Sequence, residues 1–243
     1  MPPVIELKKV SKRYDTGPVS FYAVRDVNLQ IEAGEFVAIM GPSGSGKSTM
    51  MHLMGLLDEP TSGDILVDGI STSLLTEKSL SRLRNQKLGF VFQSYNLLSR
   101  TSALENIALP LWYAKQPAGH ARAQAARAMK RVGMDPASKG RNHPNQLSGG
   151  QQQRIAIARA IVTEPSMILA DEPTGNLDSH STDEILSLFQ SLNDEGTTVV
   201  IVTHEDYVGE HAKRIIRFRD GRIEREERVE RPRRAKEGAS TWA

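Results

Sequence analysis

Apolar residues along this 243-residue chain fall either into short runs bounded by turns or into longer stretches with helical spacing. Glu6-Leu7-Lys8-Lys9-Val10 and Ala23-Val24-Arg25-Asp26-Val27-Asn28-Leu29-Gln30-Ile31 read as partly exposed strands, the second alternating apolar and polar positions. Residues 35–40 form a short apolar strand running into a glycine-rich loop. A helix over 48–57 follows, with Met50, Met51, Leu53, Met54, Leu56 and Leu57 on most of its circumference, which implies burial against a sheet. Further strands are predicted at 63–69 and 88–93.

Between 94 and 147 the strands stop. Residues 103–114 and 120–132 carry helical spacing and are separated by Gln116-Pro117-Ala118-Gly119, as in a helical lobe inserted into an α/β core. Alternation then resumes with a helix at 151–162, a strand at 167–171, a helix at 183–192 and a strand at 197–203. This order predicts a parallel sheet flanked by helices. The chain therefore divides into a core of 1–93 and 148–225, an inserted lobe of 94–147, and a charged tail of 226–243 that is expected to be disordered. Within that tail, Arg231-Pro232-Arg233-Arg234-Ala235-Lys236 would gain ~1 kcal/mol per base against anionic lipid, although a merely solvated terminus is the simpler expectation.

Composition adds exclusions. The formal charge is +2 with acids and bases interspersed, so no basic stripe argues for nucleic acid. Without cysteine there is neither a disulfide nor a Cys-based zinc site. The N-terminus lacks an apolar signal core, and no apolar run approaches the ~20 residues of a membrane helix. Work at a membrane would require docking on something that spans it.

Three stretches carry chemistry. Gly41-Pro42-Ser43-Gly44-Ser45-Gly46-Lys47-Ser48 matches G-x-x-x-x-G-K-[ST] at a strand-to-helix junction. Its backbone N–H groups and the helix N-terminus suit phosphate oxygens, Lys47 can reach the β- and γ-phosphates, and the Ser48 hydroxyl can ligate Mg²⁺. Met167-Ile168-Leu169-Ala170-Asp171-Glu172 ends an apolar strand in two carboxylates at the sheet edge where open α/β folds bind ligands. Asp171 suits the metal, through water, and Glu172 suits polarisation of an attacking water. Leu147-Ser148-Gly149-Gly150-Gln151 opens a helix with two glycines, freeing terminal N–H groups for an anion. In isolation Ser148 would be the ordinary cap of its own helix; in this company that local role is set aside.

Together and in this order, the three resemble the ATP-binding cassette (ABC) ATPases, over about 4–225. The resemblance implies a P-loop NTPase core with a parallel sheet, an N-terminal antiparallel β subdomain and an inserted helical subdomain. It implies that Ser148, Gly149, Gly150 and Gln151 complete the site of a second copy of the chain, so that two Mg-ATP lie across a two-fold axis. It assigns Glu172 as general base, Thr49 to the α-phosphate, Gln93 to Mg²⁺ and the γ-phosphate, and His204 to the γ-phosphate and catalytic water. Tyr14 matches the aromatic that stacks on adenine, and Asp178, in Gly175-Asn176-Leu177-Asp178, matches a loop crossing the dimer interface. Asn176 stands where many relatives carry alanine.

The longer segments Phe90-Val91-Phe92-Gln93-Ser94-Tyr95-Asn96-Leu97-Leu98, Thr101-Ser102-Ala103-Leu104-Glu105-Asn106 and Ala170-Asp171-Glu172-Pro173-Thr174-Gly175-Asn176-Leu177-Asp178 look like the lipoprotein-releasing (LolD-type), macrolide-exporting (MacB-type) and cell-division (FtsE-type) group. That likeness does not choose within the group, so transport and non-transport signalling both stand. A DNA-associated ABC ATPase is disfavoured, because no coiled coil or zinc module interrupts the cassette. The resemblance further implies peripheral attachment at the cytoplasmic face of the cell membrane, through permease subunits gripping the helical lobe near 94–111.

Overall fold

The computed structural model describes residues 2–17 and 19–235. Two sheets organise the chain. The first is antiparallel, in the order β2-β1-β4-β5, from β1 (Ile5–Thr16), β2 (Val19–Ile31), β4 (Ser62–Val67) and β5 (Ile70–Ser71). The second is six-stranded, in the order β10-β9-β3-β8-β7-β6. It comprises β3 (Phe36–Met40), β6 (Leu88–Phe92), β7 (Met167–Asp171), β8 (Thr198–Thr203), β9 (Arg214–Arg219) and β10 (Arg222–Arg228). Its strands run parallel except for β10, which turns back along the edge of β9.

Helix α1 (Lys47–Met54) is clamped between the sheets, with Met50, Met51, Leu53 and Met54 buried beside Ile5, Leu7, Val37, Ile39, Leu169 and Val200. It stops short of the predicted end at 57. Gly55 closes it by donating to Met51 O at 2.8 Å, and Leu56 takes a left-handed φ of 54°. The other face of the six-stranded sheet packs on α6 (Gly149–Ile161) and α7 (Ser179–Asp194), whose core residues include Ile155, Ile157, Ile185 and Phe189. Central strands buried on both faces explain their unbroken apolar runs.

The predicted helical lobe is present as α3 (Ala103–Tyr113), α4 (Ala118–Arg131) and the short α5 (Pro136–Lys139). Ser102 and Glu105 form a capping box at the start of α3. The fully buried Asn106 ties the preceding loop, donating to the carbonyls of Leu98, Thr101 and Ser102 and accepting from the Leu98 amide. One helix escaped the pattern. α2 (Glu77–Lys87) buries no residue, and its signal lies in the Thr76 cap, with Glu77 in the first turn and Arg84 and Lys87 in the last.

The expectation of a disordered tail from 226 is corrected as far as Ala235. β10 carries through Arg228, its charges paired across the edge as Arg214–Glu226 and Arg217–Glu227. Beyond it, Arg233 N donates to Glu210 O at 2.8 Å, Gln190 Nε2 donates to Arg233 O at 2.7 Å, and Arg234 pairs with Asp194. A charged edge strand needs only a backbone ladder and cross-strand partners, which hydropathy does not register. Lys236 and the remainder of the basic segment lie outside the described residues.

Candidate active site

The chain between β3 and α1 wraps a concave backbone. Gly46 has φ 103°, and a Cβ there would stand 2.0 Å from Ala23 O, so no other residue fits. Pro42, Ser43 and Gly44 form the exposed outer bend. Ser45 is buried, with a hydroxyl lacking any hydrogen-bond partner. Lys47 is only 7% exposed. Its Nζ donates to Gly41 O at 2.7 Å and Pro42 O at 2.9 Å. Burial lowers its pKa, against the opposing pull of the Glu172 and Asp171 carboxylates.

Those carboxylates stand at the C-terminal end of β7. Ser48 Oγ lies 3.5 Å from Asp171 Oδ1, at the limit of a hydrogen bond. Burial and the neighbouring Glu172 raise the Asp171 pKa, while His52, Ser48 and Lys47 oppose the shift. Glu172 has a left-handed φ of 43°, held by its amide donating to Val202 O at 2.9 Å and its carbonyl accepting from Gly175 N at 3.1 Å. That backbone brings Glu172 Oε1 to 2.9 Å from Nδ1 of His204, which follows β8. Two residues remote in sequence thus meet as a hydrogen-bonded pair.

Gln93, just past β6, follows Phe92, the register partner of Asp171. The side chain of Gln93 covers Gly175, where a Cβ would meet Nε2 at 2.7 Å, and its backbone carbonyl accepts from Asn176 Nδ2 at 2.9 Å. It makes no hydrogen bond to Ser48 or Asp171 among the described residues. Asp178 caps α7, accepting from the Ser181 amide and hydroxyl, both at 2.9 Å, and these bonds lower its pKa.

The role set aside for Ser148 is real in this structure. Ser148 caps its own helix, accepting from Gln151 N at 3.3 Å, and Gln151 Oε1 returns the bond by accepting from Ser148 N at 3.1 Å. A serine three residues before a glutamine is a capping box whatever else it does. Gly149 and Gly150 are half-buried, against Tyr95 and Leu177 and against Ser181 respectively. The structure does not bring these residues to the chain's own phosphate loop.

Tyr14 lines the same cleft as the loop. A cavity of about 670 Å³ runs past Tyr14, Tyr22 and Arg25 to Gly44, Gly46, Lys47, Ser48 and Thr49. The Tyr14 hydroxyl donates to Asp58 Oδ2 at 2.9 Å, and Lys12 Nζ donates to Asp58 Oδ1 at 2.6 Å. Sequence reasoning did not single out Asp58, which lies past the end of α1 with no local signal. It also missed Arg159, whose guanidinium donates to Tyr95 O and Asn96 O and holds two consecutive left-handed residues beside Gln93.

A profile of the ABC transporter family matches residues 24–175. The chain belongs to the ABC transporter family. It is an ABC ATPase cassette, similar over 94% of its length to an ABC transporter ATP-binding protein of Thermotoga maritima, at 50% identity and 97% of that protein. It is 47% identical to the macrolide export ATP-binding/permease protein MacB of Bdellovibrio bacteriovorus, but spans only 34% of that longer protein. Among solved structures, the ABC cassette superposes on the dimeric MJ0796 cassette in a post-hydrolysis state with ADP and Pi, at TM-score 0.85 and 46% identity, covering 93% of this chain and 98% of that one. The MJ0796 protein comes from Methanocaldococcus jannaschii.

Proposed function

We propose that two copies of this cassette close around two Mg-ATP and transmit that closure to a membrane permease of the lipoprotein-release or macrolide-export type. The Glu172–His204 pair carries this reading, because it sets a carboxylate beside the phosphate loop with one oxygen already engaged. Its second oxygen is left to accept a proton from water, a general-base role worth about 10²–10⁴-fold in rate. Lys47 would exchange its bonds to Gly41 and Pro42 for phosphate oxygens, and the unpartnered Ser45 hydroxyl is a further group suited to phosphate. Tyr14 would stack on adenine at the far end of the cleft and Thr49 would meet the α-phosphate.

The donors present fit Mg²⁺. No cluster of three or more His, Cys, Asp or Glu able to hold a metal exists among the described residues. Mg²⁺ does not need one, since it retains waters and takes phosphate oxygens alongside one or two protein ligands. Ser48 and the raised-pKa Asp171 would hold it, with Gln93 joining after its side chain leaves Gly175. When bound, it neutralises charge on the phosphate oxygens. Ser148, Gly149, Gly150 and Gln151 then face the γ-phosphate of the partner copy, and Asp178 lies at the interface. The dimeric MJ0796 cassette, of similar sequence, supports this arrangement.

No described helix is long and apolar enough to cross a membrane. A groove of about 870 Å³ between the core and the lobe, including Leu57, Phe90, Phe92, Pro110 and Tyr113, suits a helix of the permease at the cytoplasmic face of the membrane. Tyr113 is 81% exposed there, leaving most of its ring area uncovered among the described residues. The test is sedimentation of Glu172→Gln with Mg-ATP. A stable dimer that hydrolyses ATP very slowly is expected; a monomer under saturating Mg-ATP refutes the shared site.

A further inference from the structure

The Tyr14 ring is held at its hydroxyl end by a chain of bonds that runs from the first sheet to the turn after the phosphate-loop helix. Its hydroxyl donates to Asp58 Oδ2 at 2.9 Å, and Thr49 of α1 lines the same cleft. The other Asp58 oxygen accepts from Lys12 Nζ at 2.6 Å and from the Glu59 amide at 2.8 Å. Lys12 Nζ in turn donates to Glu59 O and stands 5.2 Å from the centroid of the Tyr14 ring. Phe21 lies beside the ring at 5.7 Å, tilted by 42°. Burial acts to raise the Asp58 pKa, but the bonds from Lys12, Tyr14 and the Glu59 amide bring it below the usual carboxylate range, so it stays an acceptor.

We infer that Asp58 is a positioning residue for the base platform: through the Tyr14 hydroxyl it fixes the ring across the cleft mouth before nucleotide arrives. The inference rests on the reading of Tyr14 as the adenine-stacking residue. An ion pair whose only task was to join β1 to the turn after α1 would be complete with Lys12 and Asp58, and would not engage the phenol. Here the phenol occupies its own carboxylate oxygen, and the other oxygen is left to Lys12 and the Glu59 amide. Stacking itself needs only the ring, and a phenylalanine would supply it. What the hydroxyl adds is a ring already ordered, sparing the side-chain entropy that binding would otherwise cost. Asp58 touches no reacting atom, so its effect must fall on nucleotide affinity and leave turnover at saturation alone.

The experiment is calorimetric ATP titration, together with steady-state hydrolysis, of the full chain carrying Tyr14→Phe, Asp58→Ala, both together, Asp58→Asn, or Tyr14→Ala. Tyr14→Phe and Asp58→Ala are each expected to raise Kd and KM about three- to tenfold with kcat unchanged. The double variant should be no weaker than either single one. Asp58→Asn, still able to accept from the phenol, should recover most of the affinity. Additive losses in the double variant, or wild-type affinity in Tyr14→Phe, overturn the inference. Should Asp58→Ala fail to fold, Tyr14→Phe decides alone, since it removes the same bond and leaves the ion pair intact. Weak binding by Tyr14→Ala with normal binding by Tyr14→Phe preserves stacking and removes only the positioning role. Normal binding by Tyr14→Ala removes both.

Discussion

The end of β7 and the start of α6 are both candidate phosphate-facing surfaces, and they are built in opposite ways. At β7, residues from three separate segments converge: Ser48 approaches Asp171, Glu172 bonds His204, and Lys47 feels both carboxylates. At α6 the side-chain hydrogen bonds of Ser148 and Gln151 are to each other's backbone, within three residues. The first surface is assembled by the fold and carries an electrostatic imbalance, seen in the raised pKa of Asp171. The second is locally satisfied, with Ser148 exposed and its two glycines half-buried. A site half built by tertiary contacts and half by a self-contained helix start is suited to completion by a second copy.

The largest expected effect separates chemistry from binding. Glu172→Gln should lower kcat by about 10²–10⁴-fold with ATP affinity retained, measured by phosphate release and calorimetry. An equal loss of affinity would place Glu172 in binding, and the contrast with α6 would lose its meaning. The α6 surface is tested by a substitution that spares the local role. Aspartate caps a helix about as well as serine, so Ser148→Asp should keep the thermal midpoint while its charge opposes a partner's γ-phosphate. Hydrolysis is expected to fall at least tenfold; full activity would show that Ser148 serves only its own helix.

Smaller effects fall on stability. Ser148→Ala loses the cap and should cost about 1 kcal/mol, read by denaturant titration of the nucleotide-free chain. For Asp171 the sign runs the other way. Its raised pKa means that the native site binds a proton more tightly than the unfolded chain does. Stability therefore declines as pH rises from the unfolded value to the folded one, and stays reduced above it. Asp171→Asn should accordingly raise the midpoint of the nucleotide-free chain near neutral pH and abolish Mg²⁺-dependent hydrolysis. A lowered midpoint would mean that Ser48 and Lys47 already compensate the charge.

Much of the cassette was legible because its chemistry is local. A loop such as 41–48 must carry glycine where the backbone turns left-handed against Ala23, and strand ends such as Asp171 fall where an apolar run stops. The misreadings have a common cause. The strand Arg222–Arg228 is nearly all charged, and only its partner β9 reveals it. Helix α2 buries nothing, so no apolar stripe announces it. For Ser148 the local cap that was set aside is present, and it is legible in the Ser-x-x-Gln spacing alone.

By itself, then, the amino-acid sequence determined the family, the phosphate loop, the acidic strand end and the inserted lobe, since each is written in neighbouring residues whose backbone geometry and burial period constrain one another. Only the tertiary structure decided that Glu172 meets His204, that Tyr14 is moored to Asp58, and that the chain after Arg228 is bound down as far as Ala235. Those contacts join residues 32, 44 and 45 positions apart. Side-chain pairing at such separations follows from how sheets and helices stack, which no local pattern encodes.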